Sequence, residues 1–246
     1  MLSKKSTCIF ILLSISVQIF AETNQYTSKD LGIKNTILTP LGAQRSGNKD
    51  NSIPPWTGGI TKWPKNYKPG DHHPCPFPQD KKLFTINSTN YQKFKEKLTE
   101  GMIALFKNYP KTFFMNIYPT HRTASLPNWV YEAIIENSLK AKIVENGSGI
   151  RYARVSSPFP IPRNGLEAIW NHLLAFKGVC YHKKSVQAAP TKKGSYRLIK
   201  MEETAYVNYS SRNQSIDEIY ENNIYAFFLQ KILSPPHLAG NGLLIY

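Results

Sequence analysis

The sequence has few long apolar runs, few acidic side chains and no familiar catalytic motif. Beyond the N-terminal segment, no apolar run reaches the roughly 20 residues that a transmembrane helix needs. Aspartate and glutamate together number 16, against 31 lysines and arginines. A P-loop, a dinucleotide-binding fingerprint, a His-Glu-x-x-His motif and a Gly-x-Ser-x-Gly motif are all missing. These absences predict a water-soluble, basic, non-enzymatic protein with no cofactor and no metal site.

The N-terminal segment has the parts of a secretory signal peptide. Lys4 and Lys5 form a short basic region, an apolar run follows over residues 8–20, and Ala21 is a small residue at a suitable cleavage position. This apolar run is too short to span a bilayer as a stable helix. Residues 1–21 are therefore predicted to be cleaved on export, and the alternative is an uncleaved N-terminal anchor.

The net positive charge of the chain indicates which classes of binding partner it would attract. Removal of Lys4 and Lys5 lowers the formal net charge from +15 to +13. A basic surface attracts phospholipid headgroups, acidic proteins and nucleic acid, and export makes nucleic acid the least suitable of the three. Because the basic residues are scattered in short pairs, a basic surface without a dedicated polyanionic partner is the simpler interpretation.

Two cysteines, Cys75 and Cys180, remain after cleavage. An oxidising compartment would permit a disulfide between them, and two free thiols are equally compatible with the sequence. Neither cysteine has the His and Cys spacing that is typical of a structural zinc site.

Proline, glycine and tryptophan are concentrated before residue 85. They dominate the stretches 54–59 and 68–78, where proline removes backbone donors and glycine favours turns. Residues 22–84 are therefore predicted to form an extended arm, and residues 85–246 a folded domain. Trp56 and Trp63 are expected to attach the arm to this domain.

Periodicity and capping residues predict four helices and a group of strands. The predicted helices cover residues 90–97, 100–108, 126–144 and 164–178. The last is the clearest, with Asn164 as N-cap, Gly178 at its end and an apolar stripe of Leu166, Ile169, Trp170, Leu173 and Leu174. The predicted strands cover residues 83–86, 113–118, 179–188, 196–209 and 224–233, the last with a short helix as alternative. The final three strands indicate an antiparallel meander in an α+β protein.

Five side chains are candidate contacts for a cargo molecule or a protein partner. Trp56, Trp129 and Trp170 would line an apolar cavity or belong to an ordinary core. Arg122 would bind a phosphate or carboxylate, or pair with a structural acid. His172 lies on the predicted 164–178 helix, where a hydrogen-bonded histidine at the edge of the core is the default and a catalytic role the exception.

Several of these segments together resemble a bacterial exported family of unknown function, numbered 1329 and described as similar to outer-membrane lipoprotein-sorting proteins. The resemblance runs in order along almost the whole mature chain. It rests on residues 38–48, 53–59, 83–86, 118–124, 159–162, 165–172 and 236–240.

The resemblance implies the fold of the periplasmic lipoprotein carrier LolA and the receptor LolB. That fold is an open, strongly curved antiparallel sheet, an incomplete half-barrel here, with helices packed on its concave face. Its apolar pocket implies a periplasmic carrier or accessory protein for lipid or other hydrophobic cargo. The implied partners are an RND-type transporter, an outer-membrane protein and, by peripheral contact, the membrane.

Family members continue with further strands beyond the point that matches residues 243–246, so the resemblance predicts a chain truncated at its C-terminus. Three alternatives to the carrier hypothesis stay open. The first is an adaptor that docks on a transporter or outer-membrane protein through its aromatic arm. The second is a truncated fragment without function. The third, an exported hydrolase, would depend on His172 and Arg122.

Overall fold

Helices and antiparallel sheets both occur in the part of the chain that the structure, a computed structural model, describes: residues 26–65, 67–68, 70–192 and 194–245. The predicted signal peptide, residues 1–21, lies outside these residues. The α-helices are α1 Glu100–Asn108, α2 Asn128–Lys140, α3 Gly165–Leu173 and α4 Ile216–Asn222. The strands are β1 Phe84–Ile86, β2 Met115–Ile117, β3 Lys142–Val144, β4 Gly149–Arg151, β5 Cys180–Pro190, β6 Tyr196–Tyr206, β7 Phe227–Ser234 and β8 Gly242–Ile245. The predicted α+β class is confirmed.

The N-terminal arm has little regular structure, as its proline and glycine content predicts. Between residue 26 and the start of β1, one short 3-10 turn, Ser28–Asp30, is the regular element of the described residues. Trp56 attaches the arm as expected: it is buried, and its indole nitrogen donates a hydrogen bond to the Ala124 carbonyl over 2.9 Å. The expectation for Trp63 is wrong. Its side chain is 63% exposed, because its aromatic neighbour is Tyr67 of the same loop.

The predicted helix at 126–144 is shorter than expected. α2 begins at Asn128 and ends at Lys140, and the residues that follow form a hairpin of β3 and β4. Asn146 and Gly147 make the turn of this hairpin with positive φ angles of 54° and 103°, which suit an Asn-Gly pair. The spacing of Val130, Ile134, Ile135 and Leu139 predicts an apolar stripe on this helix, but Leu139 is exposed because it is about 140° around the helix from Ile134.

The segment before α2 forms a small layer of its own. β1 pairs with β2 in an antiparallel ribbon, shorter at the second strand than the predicted 113–118. The predicted helix at 90–97 is a 3-10 helix, Tyr91–Lys97, rather than an α-helix. α1 has the predicted bounds, and its N-cap Thr99 accepts a hydrogen bond from the Met102 amide.

α3 starts as predicted but ends five residues early. Its N-cap Asn164 accepts a hydrogen bond from the Glu167 amide over 2.9 Å. The helix stops at Leu173 because the next residues are drawn into tertiary contacts: Leu174 is buried, and the Phe176 amide donates to the hydroxyl of Ser156. Gly178 therefore lies in the link to β5.

The four last strands form one antiparallel sheet in the order β5-β6-β7-β8. The predicted meander is confirmed, and the open choice for residues 224–233 is decided in favour of a strand. β6 ends at Tyr206, and a 3-10 turn, Asn208–Ser210, follows where the strand was expected to continue.

Two apolar clusters form the core. The first packs α2 against the arm and consists of Trp56, Val130, Tyr131, Ala133, Ile134 and Val155. The second lies where β5, β6 and β7 meet α3 and α4, and consists of Leu174, Val207, Tyr209, Ile219 and Ala226.

Residues 153–158, which we call the connecting segment, join the two clusters. The Val155 side chain belongs to the first cluster, while its amide donates to the carbonyl of Tyr209 in the second over 2.8 Å. The Tyr209 hydroxyl donates in return to the Ser156 carbonyl over 2.8 Å. Val155 has a φ of 76°, which a β-branched residue adopts only when its surroundings impose it.

Asn137 of α2 holds the connecting segment in place. Its side-chain nitrogen donates to the carbonyls of Arg154 and Ser157 over 2.9 and 3.3 Å, and its oxygen accepts from the Arg154 amide over 3.1 Å. With only 1% of its surface exposed, Asn137 replaces water for these backbone groups.

The first prediction concerns this side chain. Asn137→Ala would leave buried donors and acceptors unpaired and should lower the free energy of unfolding by about 3 kcal/mol. Leu139→Ala on the same helix, where the side chain is exposed, should change it by less than about 0.5 kcal/mol. Urea unfolding followed by circular dichroism measures both, and equal stabilities of the two variants would contradict the assigned role of Asn137.

Candidate functional site

Side chains alternate between the two sides of the four-stranded sheet, and the strand register assigns each to a side. We call the side that includes Tyr181 and Phe228 the helix-side face, because these two side chains pack on the second cluster together with Trp170 of α3. The opposite side is the outer face. The rows across the helix-side face are Tyr181-Ala205-Phe228-Ile245, Lys183-Glu203-Gln230-Leu243, Ser185-Met201-Ile232, Gln187-Ile199 and Ala189-Arg197.

A polar group occupies the second row. The Glu203 carboxylate, in a side chain that is 6% exposed, accepts a hydrogen bond from the Tyr181 hydroxyl over 2.9 Å and contacts the Lys183 ammonium over 2.9 Å. The Gln230 amide donates to its other oxygen. Each carboxylate oxygen therefore has a donor, which allows a charge to sit on an otherwise half-buried face.

The polar row shifts two pKa values in opposite directions. The hydrogen bond from Lys183, followed by those from Gln230 and Tyr181, lowers the pKa of Glu203 below its ordinary value of 4.5. Burial, and then the bond to Glu203, raises the pKa of the Tyr181 hydroxyl to about 12. At neutral pH the row therefore contains an ionised Glu203 carboxylate and a protonated Tyr181 phenol.

Apolar side chains surround the polar row on the same face. Ile199, Met201 and Ile232 are half-buried, and Leu243 and Ile245 at the β8 edge are 56% and 43% exposed. The second cluster covers the β5 to β7 part of the first row, but the face continues outside it as an accessible apolar surface.

α3 adds a second accessible apolar surface beside the second cluster. Trp170 and Leu174 pack into the cluster as the predicted stripe requires. Leu166, Ile169 and Leu173 of the same stripe are 42%, 56% and 51% exposed, so the expectation that the whole stripe faces the core is wrong. The accessible part of the helix-side face and the exposed residues of the α3 stripe therefore both border the second cluster.

Two of the predicted contact residues, Trp56 and Arg122, attach the arm to the domain. Trp56 is part of the first cluster, with the Arg45 guanidinium 5.1 Å from its ring centre. Arg122 donates to the backbone carbonyls of Gln44, Arg45 and Ser46 over 2.8, 3.1 and 3.4 Å. Its partners are carbonyls of the arm, rather than the structural acid that was one of the two expectations.

Trp129 lines a cavity of about 340 Å³. Its ring packs edge-on against Phe176, with the Arg212 guanidinium 5.1 Å from its centre. The remaining lining residues are Glu132, Ala133, Glu136 and Arg154. With two carboxylates and two guanidinium groups, this cavity is charged rather than apolar.

Trp170 and His172 share α3 but have different surroundings. The Trp170 indole nitrogen donates to the Gly147 carbonyl over 3.1 Å, which joins α3 to the β3–β4 turn. His172 is exposed. The structure therefore brings Trp56 and Arg122 together through Arg45. It also packs Trp129 against the first cluster, to which Trp56 belongs, and Trp170 against the second.

Sequence reasoning missed the group around Glu203. Tyr181 and Lys183 stand two residues apart in a predicted strand, which places them on one face. The sequence gives no signal that this face meets Glu203 and Gln230, since that depends on the register of β5, β6 and β7.

The described residues contain no group of three His, Cys, Asp or Glu side chains arranged to hold a metal ion. In the same residues, none of the helices has both the length and the apolar character to span a membrane. Cys75 and Cys180 are both exposed free thiols, which decides the question that their spacing left open.

Comparison with known proteins gives the family. A model described as Protein of unknown function (DUF1329) matches residues 85–246, and the chain belongs to this family, as the sequence motifs predicted. A Pseudomonas aeruginosa protein described as uncharacterized is 35% identical over 240 residues, which cover 98% of this chain and 52% of the relative. The chain thus spans about half the length of this relative. No solved structure matches the chain.

The second prediction concerns the pH dependence of stability. A lowered pKa means that folding favours the ionised Glu203 carboxylate, so its contribution is fully present above pH 4.5 and is lost as the pH falls through the folded pKa. Glu203→Gln should therefore cost about 2 kcal/mol of unfolding free energy at neutral pH. The difference from wild type should shrink below pH 4.5.

Urea unfolding at a series of pH values measures this difference. Glu202→Gln, at the adjacent position on the outer face, is the matched control and should stay close to wild type throughout. A Glu203→Gln variant whose deficit does not change with pH would show that the carboxylate charge contributes nothing.

Proposed function

We propose that this protein is a non-enzymatic periplasmic carrier for a lipid or another hydrophobic molecule, with the cargo held on the helix-side face. One observation carries the proposal: beyond the second cluster this face presents Ile199, Met201 and Ile232 half-buried and Leu243 and Ile245 exposed. Soluble domains seldom leave continuous apolar surface in water unless it binds something.

An acyl chain is a suitable occupant of such a surface. Burial of apolar area is favourable by about 25 cal/mol per Å², and contact along several strands would cover side chains from β6, β7 and β8 together. The exposed Leu166, Ile169 and Leu173 of α3 would extend the apolar contact on the other side of the second cluster.

The polar row suggests an amphiphile rather than a hydrocarbon. Lys183 keeps 52% of its side chain exposed while it contacts Glu203, so its ammonium is accessible at the border of the apolar surface. A phosphate or carboxylate headgroup could accept hydrogen bonds from this ammonium while its acyl chain lies on the apolar rows.

The N-terminal segment and the family resemblance support the periplasm as the place of action. The predicted signal peptide supports export to the periplasm. The LolA-like half-barrel, with helices on its concave face, would give the helix-side face the required curvature. A carrier of this kind would hand its cargo to an RND-type transporter or an outer-membrane protein.

An adaptor function is the second candidate, favoured by an exposed aromatic group in the arm. Trp63 lies 5.0 Å from Tyr67 between ring centres, and Tyr67 lies 5.5 Å from His73. Exposed tryptophan and tyrosine are typical anchors in protein interfaces. If the adaptor reading holds, Trp63→Ala should abolish crosslinks to envelope proteins and leave lipid binding unchanged.

The third prediction tests the carrier hypothesis directly. The purified mature chain should release a bound lipid on solvent extraction and should bind an environment-sensitive fluorescent fatty acid. Ile199→Glu and Met201→Glu place a charge among the apolar rows, where its desolvation opposes cargo, and each should raise the Kd for the probe by roughly tenfold or more.

Leu229→Glu on the outer face is the matched control, with the same added charge and a side chain that is 40% exposed in the wild type. It should bind the probe as the wild type does. No extractable lipid and no probe binding by a wild-type chain that unfolds cooperatively would refute the proposal.

A further inference from the structure

The hairpin of β5 and β6 is longer than its neighbours and projects from the sheet. β6 residues 196–199 pair only with β5 residues 187–190, since the pairing with β7 begins at Lys200 opposite Ser234. At about 3.3 Å per residue, the paired part beyond Lys200 is roughly 13 Å long. We call residues 186–200, which begin at the last row paired with β7, the projecting hairpin.

The projecting hairpin carries charge of one sign. Its sequence contains Lys192, Lys193, Arg197 and Lys200 and no aspartate or glutamate. Lys192, Arg197 and Lys200 are exposed. None of these three takes part in the ion pairs found among the described residues. Their charges are therefore available to an external anion.

Exposed apolar side chains lie beside Lys200 on the outer face of the hairpin, while Arg197 lies on its helix-side face. Tyr196, Val186 and Leu198 are 66%, 54% and 45% exposed on the outer face. Val186 stands opposite Lys200 in the register. Basic side chains interleaved with an aromatic and two aliphatic residues match the border between lipid headgroups and acyl chains, where tyrosine rings and lysine stems have both apolar and polar surroundings.

The charges and apolar side chains of this hairpin favour a lipid surface over a second copy of the protein as its binding partner. A second copy of the hairpin would bring like charges together, which opposes pairing. An anionic bilayer offers a negative surface to all the basic residues at once and an apolar layer to Tyr196 and its neighbours.

We propose that the projecting hairpin docks this protein on the surface of an anionic phospholipid bilayer. Arg197, Lys200 and Lys192 contact headgroup phosphates, while Tyr196, Leu198 and Val186 enter the interfacial layer. Tyr196, Leu198, Val186 and Lys200 lie on the outer face, opposite the apolar rows of the helix-side face, so docking and cargo binding are separable and neither requires the other.

Sedimentation with vesicles of equal parts phosphatidylglycerol and phosphatidylcholine tests the proposal on the full mature chain. The triple variant Lys192→Gln, Arg197→Gln and Lys200→Gln should lower the partition coefficient roughly a hundredfold at low salt, about fivefold for each charge removed. Pure phosphatidylcholine vesicles should bind the wild type weakly.

The matched control removes the same net charge elsewhere, at the exposed Lys82, Lys93 and Lys111. Because screening confines the attraction to charges near the membrane, the control should lose less than about fivefold. An equal loss in the two triple variants would overturn the proposal, since only the net charge would then matter.

A fluorescent reporter locates the contact. Tyr196→Trp should show a blue-shifted emission on anionic vesicles, while Tyr109→Trp, at a side chain that is 56% exposed in the wild type, should show none. An unshifted Tyr196→Trp spectrum with bound vesicles would place the contact elsewhere. A dimer in sedimentation equilibrium that the hairpin triple variant dissociates, without any vesicle binding, would assign the hairpin to a second copy and overturn the proposal.

Probe binding by a Leu243→Glu variant, at an exposed position of the cargo surface on β8 and outside the hairpin, separates this inference from the carrier function. Loss of probe binding with unchanged vesicle sedimentation would leave docking supported and concern the cargo surface alone. Loss of vesicle sedimentation by the hairpin triple variant with intact probe binding would leave the carrier hypothesis supported.

Discussion

The buried backbone of the connecting segment is the constraint on which the other parts of the structure depend. Ala153 and residues 155–158 are buried, so their backbone polar groups must be paired within the protein. Asn137 pairs groups of Arg154 and Ser157, and the Tyr209 backbone and hydroxyl pair groups of Val155 and Ser156. These hydrogen bonds hold α2 on one side, and the chain that follows β6 on the other, against the connecting segment. The positive φ of Val155 is thereby imposed from both sides.

On the helix-side face of the four-stranded sheet, the side chains are less buried outside the second cluster than within it. The second cluster covers the β5 to β7 part of the first row of this face, and the polar row around Glu203 follows it. Beyond this row Met201, Ile232 and Ile199 are half-buried, Leu243 and Ile245 are exposed at the β8 edge, and the β5–β6 hairpin projects on its own. Both functional proposals arise from this gradient: the apolar rows for cargo, the hairpin for a membrane surface.

The family relationship supplies no reaction or ligand, so physical properties of the surfaces decide which functions are worth testing. Of the three tryptophans that could suggest a binding site from sequence, Trp56 and Trp170 are used for packing and for hydrogen bonds to Ala124 and Gly147. The third, Trp129, lines a charged cavity. Arg122 is likewise engaged with backbone carbonyls of the arm. Accessible apolar and basic groups lie instead on α3 and the late strands.

The sequence by itself determined the local features that depend on neighbouring residues: the caps at Thr99 and Asn164, the low regular content of the arm, the alternation that makes β5 to β7 strands, and the family. Only the tertiary structure decided the ends of α2 and α3, because contacts distant in sequence, such as that of Phe176 with Ser156, compete with helical propagation. It also decided which apolar side chains stay exposed, and the meeting of Tyr181, Glu203 and Gln230. These features depend on strand register and on packing between segments far apart in the chain, for which periodicity within one segment carries no information.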